Sequence, residues 1–146
     1  MRSIIFVCLG NICRSPIAEG CATKLALEKS IDIEIYSSGT SNWHTGEAPC
    51  ANSVKICKSN GVDISMLRAS QFSKKDIDRY DLVVALDDNN VKDLKALGAK
   101  NVVKLGDYGY ESQDVPDPYF FDTFDGFDKV FTMIESCVKN LFEKEL

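Results

Sequence analysis

The chain has 146 residues, of which 17 are Lys or Arg and 22 are Asp or Glu, giving a formal net charge of −5. This length fits one domain over residues 1–146 with a full hydrophobic core. The acidic balance, without a basic stripe, argues against nucleic acid as a general partner. No apolar run approaches the length of a membrane span and no export signal is visible, so we expect a cytoplasmic protein without membrane association.

Strand and helix patterns alternate along the chain. Strands are predicted over residues 4–7, 33–36, 82–86 and 102–105. Helices are predicted over 16–29, 49–60 and 73–80, from caps at 87–89 to about 97, and over 123–143. The irregular stretch over 106–122 is long enough to suggest a functional role. This alternation predicts an α/β fold with a four-stranded parallel sheet, helices on both faces and a ligand site beyond the carboxyl ends of the strands.

The six cysteines are scattered without the framework of a disulfide-rich secreted protein, so we expect reduced thiols. A zinc site at Cys8 and Cys13 is disfavoured, because the chain has no C-x2-C pair and one histidine, His44. Neither a P-loop nor a dinucleotide-binding glycine pattern is present. We therefore predict no metal and no cofactor.

The loop between the first strand and the first helix begins at Cys8 and reaches Arg14 six residues later. Ser15 and Pro16 have the pattern of an N-cap and first-turn proline, so the loop amides and the helix dipole should face one concavity. Arg14 adds a fork of donors suited to a tetrahedral oxyanion such as phosphate. Asn11 tolerates the left-handed conformation that such a loop requires. Cys8 would lie at its floor, where the same field stabilises a thiolate.

The string Val-Cys-Leu-Gly-Asn-Ile-Cys-Arg-Ser-Pro resembles the signature of the low-molecular-weight protein tyrosine phosphatases. A second match, Asp117-Pro118-Tyr119, falls where that family carries its general acid, and the resemblance spans nearly the whole chain. It implies hydrolysis of phosphotyrosine and small aryl phosphates through a phosphocysteine intermediate. The expected partners are phosphotyrosine-containing proteins and, in the loop, phosphate or another oxyanion.

The resemblance assigns catalysis to Cys8 as nucleophile, Arg14 as oxyanion ligand and Asp117 as general acid. It also implies that the Ser15 hydroxyl donates to the Cys8 sulfur and helps it leave. Substrate-binding roles fall to loop residues and to two aromatic residues that would wall the crevice. These are Leu9, Gly10, Asn11, Ile12, Cys13, Ser15, Trp43 and Tyr119. The residue types alone leave alternatives open: a structural thiol at Cys8, a turn aspartate at Asp117 and a packing or partner role for Trp43.

Two rival functions share parts of this pattern. A thiol-dependent arsenate reductase of the same fold needs further cysteines after the third strand, and residues 82–90 contain none. A non-catalytic phosphotyrosine-binding module would not need Cys8, Arg14 and Asp117 together. The pattern therefore favours a phosphatase.

One position departs from the family pattern, and another suggests regulation. Leu67 stands where the family carries a histidine that supports the loop asparagine, so Asn11 must be held by Ser37, Ser15 or water. Cys13, close to Cys8 in one tight loop, predicts a redox switch in which it captures oxidised Cys8 as a disulfide; the alternative is a small buried packing residue.

Overall fold

The computed structural model describes residues 1–117 and 125–146. The strands are β1 (Ser3–Cys8), β2 (Glu34–Gly39), β3 (Leu82–Ala85) and β4 (Val102–Lys104). The helices are α1 (Arg14–Glu28), α2 (Ala51–Ser59), α3 (Asp88–Leu97) and α4 (Asp125–Glu145). All four predicted strands and four of the five predicted helices are present, with ends shifted by a few residues.

The strands form one parallel sheet in the order β2-β1-β3-β4, which confirms the predicted fold class. β1 is central and its six residues are all buried, as expected for a strand covered on both faces. Its last residue, Cys8, pairs with Gly39 at the end of β2. The carboxyl ends of β1, β2 and β3 therefore meet at one edge, where the sequence predicts the site.

Alternation along β1 divides the core into two layers. Ile4 and Phe6 pack into the larger cluster with residues of α1, α2 and α4. Ile5 and Val7 face the opposite side and pack with Leu94 of α3 and neighbouring apolar residues. Burying apolar side chains on both sides of β1 stabilises the sheet. It also fixes the register of β1 against its neighbours, and therefore the position of Cys8 at the end of the strand.

Local end signals explain both ends of α3. Asp87 caps α3 by accepting a hydrogen bond from the Asn90 amide, and Gly98 ends the helix with φ of 103°. The helix predicted over 73–80 is instead a short 3-10 turn over Lys74–Asp76 with a capping box from Ser73. A helix of two turns is marginal because few backbone hydrogen bonds offset its nucleation, and Ile77 and Tyr80 reach the core layer of Ile5 and Val7 without one.

Two predicted segments extend beyond the described residues. The start of the last predicted helix, at 123–124, and residues 118–122 of the irregular stretch lie there. In the described part of the chain, no helix combines the length and apolarity needed to cross a membrane.

Candidate active site

The candidate site is the loop over residues 9–13, which joins the end of β1 to the start of α1. Gly39 lets the end of β2 approach this loop closely. A Cβ at position 39 would lie 2.7 Å from the Leu9 carbonyl oxygen, which is closer than side chains tolerate. The missing side chain thus allows β2 to pack against the loop backbone.

Asn11 takes the left-handed conformation, with φ of 57°, as its residue type predicts. Its amide nitrogen donates to Cys8 Sγ at 3.2 Å. Its side-chain Nδ2 donates to Ser15 Oγ at 2.8 Å and Ser37 Oγ at 2.9 Å. Its Oδ1 accepts from the Ser70 amide at 3.0 Å. The predicted support from Ser15 and Ser37 is confirmed, and Ser70 is a partner that the sequence did not reveal.

Ser15 does not cap α1 as predicted. The helix begins earlier, with Cys13 at the N-cap position, so Ser15 already lies inside the first turn. Its hydroxyl meets the sulfur of Cys8, as the family resemblance implies, with Oγ 3.0 Å from Cys8 Sγ. Cys8 therefore has two hydrogen-bonding neighbours, the Ser15 hydroxyl and the Asn11 amide, and both can stabilise a thiolate.

The loop carbonyl groups are held outward by neighbouring segments. Leu9 O, for example, accepts from both the amide and the hydroxyl of Ser41 at 3.0 Å. The carbonyls with such external donors belong to Cys8, Leu9, Ile12 and Cys13. Because C=O and N–H of a trans peptide point in opposite directions, the next N–H groups face the inside of the loop. These amides belong to Leu9, Gly10, Cys13 and Arg14. A ring of amides at a helix N-terminus can bind an oxyanion.

Arg14 is almost fully buried and oriented by two groups. Its Nη1 donates to Asp87 Oδ2 at 2.6 Å and to the Val115 carbonyl at 3.0 Å. Burial alone would lower the pKa of Arg14, but the charges of Cys8, Asp87 and Asp117 outweigh burial and raise it. The guanidinium is thus a fixed positive charge beside the loop. From the sequence, Asp87 is expected both as a helix cap and, because it follows a strand end, at the same edge as the loop; its ion pair with Arg14 was not predicted.

Asp117 is brought to the site by the segment before it. The Val115 amide donates to Leu86 O at 2.9 Å, which ties this segment to the end of β3. Asp114 accepts from the Asp88 amide at 3.0 Å and pairs with Lys104 Nζ at 2.8 Å. Asp117 Oδ2 then lies 3.6 Å from Arg14 Nη2. A carboxyl group therefore lies beside Arg14 and lines the same cleft as Cys8.

A cleft of about 230 Å³ opens above Cys8. The cleft is lined by residues of the loop, by the charged side chains of Arg14 and Asp117, and by the segment after β2. These lining residues are Cys8, Leu9, Gly10, Ile12, Cys13, Arg14, Trp43, His44 and Asp117. Trp43 is 69% exposed, so its ring walls the cleft rather than packing in the core. His44 also lines the cleft, although the sequence did not indicate it as a wall residue. Its Nδ1 lies 3.0 Å from Glu47 Oε2. Tyr119, the second predicted aromatic wall, lies outside the described residues.

The prediction that all cysteines are reduced is wrong, because Cys13 is bonded to Cys50. The segment before α2 packs on the loop, where the Cys50 amide donates to Ile12 O at 2.7 Å. The predicted capture of Cys8 by Cys13 is therefore not available in this state, since the Cys13 sulfur is already bonded. Sequence spacing could not choose among the pairings, because Cys13 and Cys50 are 37 residues apart.

Reducing this disulfide should destabilise the protein by about 2–4 kcal/mol, because the cross-link closes a long loop in the unfolded chain. Urea unfolding with and without dithiothreitol measures the difference. Cys50→Ser is the control, since its unfolding should not respond to the reductant. Thiol counting in denaturant should give four free cysteines before reduction and six after it. Six thiols without reductant would show that the bond is absent in solution.

The three other free cysteines are poor nucleophiles. Burial raises the pKa of Cys57 to about 12 and of Cys137 to about 11, and it raises the pKa of Cys21 as well. Such thiols stay protonated near neutral pH. Among residues 1–117 and 125–146, no group of His, Cys, Asp and Glu side chains could hold a metal ion.

The chain is similar to known proteins over nearly its whole length. A family model described as low molecular weight phosphotyrosine protein phosphatase matches residues 3–146. The low molecular weight protein-tyrosine-phosphatase YfkJ of Bacillus subtilis is 38% identical over 133 residues, covering 86% of this chain and 85% of that protein. PtpA of Staphylococcus aureus, with the same description, is 34% identical over 148 residues, covering 98% and 93%.

The fold agrees with a solved structure of similar size. A crystal structure of a protein tyrosine phosphatase from Entamoeba histolytica, with Hepes in its active site, matches with a TM-score of 0.92. The match has 28% identity and covers 99% of this chain and 96% of that one. These findings agree with the resemblance carried by the loop motif.

Proposed function

The chain belongs to the low molecular weight phosphotyrosine protein phosphatase family and is a protein tyrosine phosphatase; we propose that Cys8 is its nucleophile. The observation that carries this proposal is the position of Cys8 Sγ between two donors, the Asn11 amide and the Ser15 hydroxyl. Among the free cysteines, Cys8 is also the one that lines the cleft. It can therefore both hold a thiolate and reach a ligand.

In the proposed first step, the Cys8 thiolate attacks phosphorus and the bond between phosphorus and the ester oxygen breaks. The loop amides and Arg14 hold the non-bridging phosphoryl oxygens, whose charge they stabilise in the transition state. Asp117 gives its proton to the departing phenolate oxygen. The products are a phosphocysteine and a neutral phenol.

In the proposed second step, water attacks the phosphorus of the phosphocysteine and the sulfur leaves as a thiolate. Asp117, now a carboxylate, takes the proton from that water. Ser15 donates to the departing sulfur, which lowers the barrier for its departure. Inorganic phosphate is released and Cys8 returns to its starting state.

The cleft supports phosphotyrosine-containing proteins as substrates. Leu9, Ile12 and Trp43 give it apolar walls that suit an aromatic ring. The shorter side chain of phosphoserine would leave these walls unfilled while its phosphate reached the loop. Tyr119 is proposed as a further wall on the strength of the family motif.

The test is to trap the intermediate. Rapid quench of the enzyme with a labelled aryl phosphate, followed by peptide mapping, should place one phosphoryl group on Cys8. The Cys8→Ser variant provides the blank. A phosphoryl group on another residue would overturn the assignment of the nucleophile. So would a wild-type enzyme that turns over with neither a labelled protein nor an initial burst of phenol.

A further inference from the structure

A chain of hydrogen bonds leads from the nucleophile to the acidic side chain of Glu19 on α1. Ser37 Oγ donates to Glu19 Oε1 at 2.6 Å, and Asn11 Nδ2 donates to Ser37 Oγ at 2.9 Å. The same Nδ2 donates to Ser15 Oγ at 2.8 Å, and Ser15 Oγ lies 3.0 Å from Cys8 Sγ. Glu19 is thus linked to Cys8 through three side chains.

The two ends of this network fix the direction of every proton in it. The Ser70 amide can only donate, so the Asn11 oxygen must face it and the Asn11 NH2 group must face the two serines. An ionised carboxylate can only accept, so the Ser37 proton goes to Glu19 and the Ser37 oxygen is left to accept from Asn11.

The direction at Ser15 matters for the chemistry. Because Ser15 Oγ accepts from Asn11, its own proton is available to the Cys8 sulfur at 3.0 Å. The Ser38 carbonyl, at 3.4 Å, is a second and more distant acceptor for that proton. A well-held Asn11 amide favours the shorter bond to sulfur, whereas a loosened one would let Ser15 turn toward Ser38.

We propose that Glu19 is a positioning residue for catalysis, which acts through Ser37 and Asn11 to direct the Ser15 hydroxyl at the Cys8 sulfur. Glu19 does not line the cleft and touches no reacting atom. Its side chain lies in a separate groove between α1 and residues 61–67, beside Lys24, Glu28 and Asp63. The acidic side chain therefore influences the thiolate from the far side of the loop.

A purely structural role would be to tie β2 to α1, so the experiment must separate the state of the sulfur from stability. Glu19→Ala should shift the pH midpoint of Cys8 alkylation by iodoacetamide upward by about 0.5–1 unit. Its kcat should fall roughly three- to tenfold, with KM within about twofold of wild type. Glu19→Gln should recover much of the loss, because its amide oxygen can still accept from Ser37.

Glu28→Ala is the matched control, because this residue lines the same groove on the same helix but lies outside the hydrogen-bond chain. Its alkylation profile and kcat should equal those of wild type. Coupling is tested with Ser37→Ala: in that background the loss of Glu19 should have no further effect on the midpoint. A Glu19→Ala protein that is less stable but has the wild-type alkylation profile would overturn the proposal, as would additive effects of the two substitutions.

The proposal rests on the assignment of Cys8 as nucleophile, and the two can fail separately. Alkylation is followed by peptide mapping and needs no turnover, so it reports on the Cys8 sulfur directly. If Glu19→Ala shifts the alkylation midpoint but Cys8→Ser keeps full activity, only the assignment of Cys8 as nucleophile is refuted. If Glu19→Ala leaves the alkylation midpoint unshifted while Cys8→Ser is inactive, only the role of Glu19 is refuted.

Discussion

Cys8→Ser is expected to lower the turnover of an aryl phosphate by at least about 10⁴-fold while leaving the protein folded. A serine hydroxyl stays protonated near neutral pH, and its two hydrogen-bonding neighbours, the Asn11 amide and the Ser15 hydroxyl, are not bases that could remove its proton. The small change of atom keeps the side chain near both donors. Turnover of p-nitrophenyl phosphate, with urea unfolding measured alongside, gives the result.

Cys21→Ser is the control for the loss of a thiol. Cys21 is buried on α1, where it packs in the core and does not line the cleft. This variant should lose stability, because a hydroxyl is buried among apolar groups, yet keep its activity per folded molecule. Retention of even a tenth of wild-type turnover by Cys8→Ser would show that another group attacks phosphorus.

The parts of the fold that the sequence predicted depend on local signals. β1 and β3 are continuous apolar runs, and α3 has both an N-cap at Asp87 and a glycine after its last turn. The spacing from Cys8 to Arg14 places both at one loop, because a strand and a helix flank it. The left-handed Asn11 also follows from residue type. These features need no knowledge of distant contacts.

The parts that the sequence missed depend on contacts between distant segments. Arg14 and Asp87 are 73 residues apart, and only the parallel order of β1 and β3 brings them together. The bond from Cys13 to Cys50 likewise requires the segment before α2 to lie on the loop. Ser15 is a mixed case: the capping role expected from its residue type is absent, whereas the contact with the Cys8 sulfur that the family resemblance implies is present.

Asp117→Asn is expected to slow the release of phenol from phosphotyrosine by roughly 10²–10⁴-fold. A phenol has a pKa near about 10, so its oxygen leaves slowly as a phenolate without a proton donor. Asparagine has almost the same shape as aspartate but cannot transfer a proton. In the free enzyme, where Asp117 Oδ2 lies 3.6 Å from Arg14 Nη2, the substitution also removes a negative charge beside the oxyanion site before substrate binds. Loss of this charge should leave phosphate binding intact or strengthen it, so the defect should appear in kcat.

A series of aryl phosphates with increasingly acidic phenols separates a proton donor from a structural aspartate. In Asp117→Asn, the defect should shrink as the leaving group becomes more acidic, since such phenolates depart without help. Asp114→Asn is the matched control: it lies three residues earlier in the same segment but pairs with Lys104 and does not line the cleft. Its kcat should depend on the leaving group as in wild type. If Asp117→Asn instead slowed every substrate by the same factor, Asp117 would serve to hold Arg14 in place, and the proton would have to come from another group.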